Sequence, residues 1–257
     1  MTPLRKLSTL CFSLSVLLHP VAAVGADKKT KSVERGTILH ARNNFGLENT
    51  YINENGCRIE YPVAGLNLIC KKPTYEIVWF NPQAKTVMKE SIAGFRERTG
   101  QPAIEADMSH MPQKVVEFAG VPAVCITLKL SNNVDKSALP EFSTRSTSSV
   151  LHTNFYVLRD VVRNPVLTKF LNTFLHVPAS GGVPLAITHD RSDRTTSTDF
   201  KVERVERNVA FPAGVFDAPI AGFKTVHSQP DVAQGPGYKK QFDDLARDMG
   251  IGVPLGK

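Results

Sequence analysis

Tyr75-Glu76-Ile77-Val78-Trp79-Phe80 is followed by Asn81-Pro82-Gln83-Ala84-Lys85 and then by Thr86-Val87-Met88-Lys89. The first run is rich in β-branched and aromatic residues, the second is turn-forming, and the third is an answering strand, so the stretch reads as a β-hairpin. A strand with one wet face alternates apolar and polar residues. Here both faces are largely apolar, so something dry lies on each side of the hairpin.

Similar pairs stand on either side. Residues 58–61 alternate, Pro62-Val63-Ala64-Gly65 turns, and Leu66-Asn67-Leu68-Ile69-Cys70 returns. Residues 114–118, the turn Ala119-Gly120-Val121-Pro122 and residues 123–130 make another pair. Single strands are expected over 153–158, 183–188 and 196–207. A short helix is expected over 91–98, and the Ser-, Thr- and Asn-rich residues 131–149 read as a loop. The clearest helix runs from Asn164 to about His176, with Asn164 as N-cap and Pro165 at the first helical position. Leu167, Phe170, Leu171, Phe174 and Leu175 then recur at i, i+3, i+4, i+7 and i+8, one apolar stripe. Pro178 and Gly181-Gly182 end it.

The chain opens as an export signal. Arg5 and Lys6 precede a largely apolar run, residues 7–18, and the small-residue stretch Val21-Ala22-Ala23-Val24-Gly25-Ala26. The apolar run is shorter than the ~20 residues a spanning helix needs. Cleavage is expected before Asp27, with a cut after Ala23 as the near alternative. The organisation that follows is a signal peptide over 1–26, a polar leader over 27–48, one domain over 49–225, and a Gly- and Pro-rich tail over 226–257 with a short helical candidate at 242–249. The destination is the periplasm or cell envelope, or the medium. The 257 residues carry a formal net charge of +7, of which Arg5 and Lys6 leave with the signal. The remaining charges are interspersed, as in Glu203-Arg204-Val205-Glu206-Arg207, so no basic stripe invites nucleic acid.

Export leaves Cys57, Cys70 and Cys125 in a compartment where thiols oxidise. A four-residue loop at 62–65 sets Tyr61 opposite Leu66, Ile59 opposite Leu68 and Cys57 opposite Cys70, all on one face. A Cys57–Cys70 disulfide is the expectation. The competing readings are three reduced packing residues, or a bond in which Cys125 replaces one of the pair.

No catalytic residue, metal set or cofactor motif emerges. Histidines do not stand at helical metal spacing, and Cys-x-x-Cys, G-x-S-x-G and phosphate-loop patterns are missing. His189-Asp190-Arg191-Ser192-Asp193 mixes potential ligands, yet its place between two strands is that of a polar turn.

Three pieces, taken in order, carry a resemblance: Ile77-Val78-Trp79-Phe80-Asn81-Pro82, then Pro178 with Gly182-Val183-Pro184-Leu185, then Phe216-x-x-Pro219-x-x-Gly222-Phe223. Their order over residues 45–225 resembles the LolA/LolB-like superfamily of exported lipoprotein-carrier domains. The chain departs from the carriers in its N-terminal stretch, which shows no long amphipathic helix, and in its added tail. The resemblance implies a mainly β fold with some α: an antiparallel incomplete β-barrel, or half-barrel, with an amphipathic helix over its mouth and an apolar cavity beneath. The lining candidates are Ile77, Trp79, Val87 and Leu158 from strands, and Leu167, Phe170, Leu171 and Phe174 from the helix. A plain filled core is the competing reading. The partner so implied is a lipid or a lipoprotein acyl chain. The alternatives are an envelope sensor or scaffold that binds another envelope protein, and an envelope hydrolase whose residues meet only in the fold.

Overall fold

The computed structural model describes residues 33–43, 46–99, 108, 111–129, 150–175, 177 and 180–233. The expected signal peptide, the loop over 131–149 and the helical candidate at 242–249 lie outside them. Among the described residues twelve strands form one open sheet. In chain order they are β1 (Arg35–Asn43), β2 (Gly46–Ile52), β3 (Gly56–Tyr61), β4 (Leu66–Lys71), β5 (Ile77–Asn81), β6 (Thr86–Glu90), β7 (Gln113–Phe118), β8 (Val121–Lys129), β9 (Val150–Leu158), β10 (Val183–Arg191), β11 (Thr196–Ala210) and β12 (Lys224–Thr225). Three helices accompany them: α1 (Ile92–Arg98), α2 (Pro165–Phe174) and α3 (Gln229–Ala233).

The order across the sheet is β12-β6-β5-β4-β3-β2-β1-β11-β10-β9-β8-β7. Every pairing is antiparallel except β12 with β6. Two meanders are therefore joined through β1 and β11, which run side by side from Arg35↔Ala210 to Arg42↔Lys201. Much of the stretch read as a polar leader is thus a central strand. Arg35, His40 and Arg42 made it look soluble, but Thr37, Leu39 and Ala41 are buried on one face and Ile38 on the other. The Gly36 backbone lies against Ile52 and Phe211, and a Cβ there would sit 2.4 Å from both the Ile52 carbonyl oxygen and the Phe211 ring.

The largest core cluster draws on β1 to β6, on β8 to β11, and on α1 and α2. Strands near opposite ends of the sheet meet in it, so the sheet wraps around the two helices as an unclosed half-barrel. Asn164 caps α2: its backbone is extended and its side chain accepts from the Val166 N–H at 3.1 Å, while Pro165 opens the first turn. Leu167, Phe170 and Leu171 are buried on the inner face of the sheet. Burial of each stabilises the docked helix by roughly 1.5–3 kcal/mol.

The outer face of β4 to β6 is dry as well. Ile69, Phe80 and Val87 pack there under Phe211, Val215 and Phe216, with Ile220 and Phe223 alongside. Arg58 pins this strap by donating to the Val215 carbonyl at 3.0 Å, and Lys71 pairs with Asp217 at 2.6 Å. The two apolar faces of residues 75–80 are thereby accounted for. Helices cover one side, and the closing Phe216-x-x-Pro219-x-x-Gly222-Phe223 segment covers the other. Beyond it, β12 adds to the β6 edge and α3 buries Val232 and Ala233.

Candidate functional site

The inner face of the half-barrel carries the candidate site. Ile77, Trp79 and Leu158 from strands meet Leu167, Phe170 and Leu171 from α2 in one cluster, with Phe174 packed half-buried against it. Val87 does not join them. Pairing of β5 with β6 sets Phe80 opposite Val87 and Trp79 opposite Met88. Directly opposed residues share a face, so Val87 follows Phe80 to the outer side and Met88 takes the inner position. A displacement of one residue in the reading exchanges the faces.

Under α2 the core is aromatic. Trp79 lies 6.2 Å from Phe95 and 6.0 Å from Phe174, Phe95 lies 6.0 Å from Phe174, and Phe174 lies 5.9 Å from Phe170 between ring centroids. Phe95 is the contribution that sequence reasoning missed. Its signal was present: α1 has one large aromatic in seven residues, and that residue is buried. The indole N–H of Trp79 donates to Glu90 at 2.7 Å, and Glu90 also accepts from Arg98 at 2.8 and 3.0 Å. The polar end of the tryptophan is therefore satisfied while its rings are dry.

The N-terminus of α2 hangs on side-chain latches. The Asn164 amide donates to the Tyr75 hydroxyl at 2.7 Å and to the Glu54 carbonyl at 3.3 Å. The Arg163 N–H donates to the Glu54 carboxylate at 2.7 Å. Both anchors belong to the turns that follow β2 and β4. Next to them, Cys57 and Cys70 face each other across β3 and β4 in the expected register, with Tyr61↔Leu66 and Ile59↔Leu68 beyond. The structure holds both as free, buried thiols where the sequence reading expected a disulfide. Burial pushes the Cys57 thiol well up, with further rises from the neighbouring Cys70 and Glu48, and burial pushes Cys70 up to about 12. Glu48 is itself only 2% exposed on β2 and accepts from the Thr50 hydroxyl at 3.0 Å.

Towards β8 to β11 the sheet becomes polar. On the inner face Thr127 donates to Asn154 at 2.8 Å, and Asn154 donates to Asp190 at 2.9 Å. Cys125 is half-buried there, 4.0 Å from Thr127. Burial, and then the nearby Cys125, raise the Tyr156 hydroxyl above its ordinary value. On the outer face His189 joins Thr153 at 2.9 Å and Asp199 at 2.8 Å. The sequence placed His189 in a polar turn; it is instead a buried residue of β10, and the turn follows at 192–195. This Thr–His–Asp chain has the residue types of a nucleophilic relay. However, Thr153 and His189 are 5% and 6% exposed beside Phe155 and Ile187, so the hydroxyl is closed to substrate and the chain satisfies buried polar groups. No cluster of three or more His, Cys, Asp or Glu suited to a metal ion occurs among the described residues. No described helix is long and apolar enough to cross a membrane.

No protein-family model matches the chain, and no curated protein sequence matches it. Among solved structures it is similar to an uncharacterized conserved protein from Thermus thermophilus, with 9% sequence identity over 75% of this chain and 90% of that one, at a TM-score of 0.30. A likeness that slight carries no functional argument.

Proposed function

We propose that this protein is an exported cell-envelope protein that binds a lipid, a lipoprotein acyl chain or another long apolar molecule on the inner face of its half-barrel, under α2. One observation carries the reading: the apolar inner face is covered in part by α2, a helix of only ten residues held at its N-terminus by the latches on Asn164 and Arg163. The resemblance to the LolA/LolB-like carriers and the signal-like N-terminus point the same way.

The energies allow exchange of helix for ligand. Lifting α2 exposes Leu167, Phe170 and Leu171, at a cost of roughly 5–9 kcal/mol if each contributes ~1.5–3 kcal/mol. An acyl chain of about 16 carbons returns ~0.8 kcal/mol per buried methylene, or roughly 12 kcal/mol. The burial gained is thus at least as large as the burial given up by the helix. Trp79 is the chain's single tryptophan and lies beneath α2. The test is a titration of the full chain with palmitate and with phosphatidylglycerol vesicles, followed by Trp79 emission and native mass spectrometry. A saturable emission change with a lipid-bound mass supports the reading. Unchanged emission together with an unliganded mass at every concentration overturns it.

A further inference from the structure

We infer that Cys57 and Cys70 form a reversible dithiol–disulfide couple whose oxidation loosens the seat of α2. The coupling to α2 and the oxidant's access to the thiols rest on the lid reading above; the opposed placement of the two cysteines does not.

Placement comes first. The two thiols face each other across β3 and β4, both buried on the inner face. Cys125 lies on β8, in the other meander. The kind of pair matters next. The Lys72 N–H donates to the Asn55 carbonyl at 2.9 Å, two residues beyond the cysteines in the same register. Hydrogen-bonded pairs recur at every second residue of an antiparallel ladder, so Cys57 and Cys70 also form one. In such pairs the Cβ atoms lie towards the wide end of ~4.5–5.5 Å, whereas a disulfide takes about 3.8 Å. The bond forms here only with a local shift of the two strands, and strained bonds of this kind are readily reduced. It is therefore a labile couple and not a permanent staple.

The route to α2 is short. The Cys70 thiol donates to the Tyr75 carbonyl at 3.5 Å, and the Tyr75 hydroxyl accepts from Asn164, the N-cap of α2, at 2.7 Å. The turn carrying Tyr75 follows directly on β4. Oxidation removes the S–H bond to this turn, which the Tyr75 N–H to Lys71 carbonyl bond at 2.8 Å also ties to β4, and draws Cys70 towards Cys57, so the hydroxyl that anchors Asn164 shifts. Access runs the other way along the same path. Burial holds both thiols protonated, and the thiolate is the attacking species. An oxidant therefore reacts when α2 is lifted.

The oxidant is a small or protein disulfide. One thiolate attacks it to give a mixed disulfide and expels one thiol. The second cysteine then attacks the mixed disulfide, forming the Cys57–Cys70 bond and expelling the other thiol. The two cysteines lose two electrons and two protons together, and the incoming disulfide leaves as two thiols.

The experiment equilibrates the reduced full chain in glutathione buffers of stepped oxidised-to-reduced ratio. Each sample is then alkylated and peptide-mapped, and α2 amide exchange is measured at both ends of the series. Expected is one two-electron transition linking Cys57 to Cys70, with Cys125 alkylated throughout. The α2 amides exchange roughly three- to tenfold faster when oxidised, the factor one lost hydrogen bond carries. A Cys57→Ala/Cys70→Ala variant shows no dependence on the buffer. Three alkylatable thiols at every ratio, a bond that includes Cys125, equal α2 exchange in the two states, or a buffer-dependent shift in the double variant each overturns the inference. Failure of palmitate to bind in either redox state, with the bond and the exchange difference intact, sinks the ligand reading alone.

Discussion

Replacing Asn164 by alanine separates a lid from a permanent core helix. The substitution removes the cap to the Val166 N–H at 3.1 Å and the amide bonds to the Tyr75 hydroxyl at 2.7 Å and the Glu54 carbonyl at 3.3 Å. Loss of an N-cap costs about 1 kcal/mol. The two amide bonds add roughly 0.5–1.5 kcal/mol each, the longer one at the low end. Docking of α2 is therefore weakened by roughly 2–3 kcal/mol, a factor of about 30 to 150 in its opening equilibrium. The apolar stripe of Leu167, Phe170 and Leu171 is untouched, so the helix still has its seat to return to. Hydrogen exchange resolved by residue is the assay. If α2 opens as a unit, its amides accelerate by that factor while those of β4 and β5 keep their wild-type rates. Binding of an apolar dye such as ANS rises in parallel, because more molecules are open at any moment. If instead α2 and the inner strands accelerate together, the helix leaves only when the whole domain unfolds, and the lid mechanism is refuted.

Phe170→Ala is expected to lower global stability by roughly 3–5 kcal/mol in urea melts, since the ring is fully buried against Phe174; a loss under 1 kcal/mol would contradict this packing. Gly36→Ala places a methyl group 2.4 Å from the Phe211 ring and the Ile52 carbonyl, so a loss of roughly 1–3 kcal/mol is expected, and wild-type stability would show that Phe211 yields freely. The Cys70 thiol is raised from 9.0 to about 12 by burial. Its contribution is therefore fully present below pH 9.0 and declines as the unfolded thiol ionises above it, by about 1.4 kcal/mol per pH unit. Reduced wild-type protein should lose stability more steeply between pH 9 and 11 than Cys70→Ala, and equal slopes would count against the burial. Thr153→Val keeps the side-chain volume but leaves the buried His189 Nδ1 unpaired, with an expected loss of roughly 1–3 kcal/mol by thermal melting; an unchanged melt would mean that another partner takes its place.

Elements whose evidence is local were legible in the chain. Asn164-Pro165 and the stripe from Leu167 to Phe174 define α2 within a residue or two, because cap chemistry and a 3.6-residue period need no distant partner. The hairpin loop at 62–65 fixed the register of β3 with β4, down to Cys57 opposite Cys70, because a short loop leaves few pairings. The apolar character of both faces of residues 77–80 announced two dry layers. What those layers were depended on contacts between distant segments. The strap from Phe211 to Phe223 reaches the outer face of β4 to β6 from more than 100 residues away in the chain. Arg35 to Asn43 became a central strand because β2 and β11 satisfy its backbone on both sides, and no periodicity within a mixed, Arg-bearing segment announces partners up to Ala210. His189 left the turn expected of it for a buried place beside Thr153, with the exposed Asp199 on its other ring nitrogen, since strands β9 and β11 offered those side chains across the sheet. Val87 shows the same limit at the scale of one residue: alternation says that neighbours oppose each other, and only the pairing of β5 with β6 says which of them faces the helix.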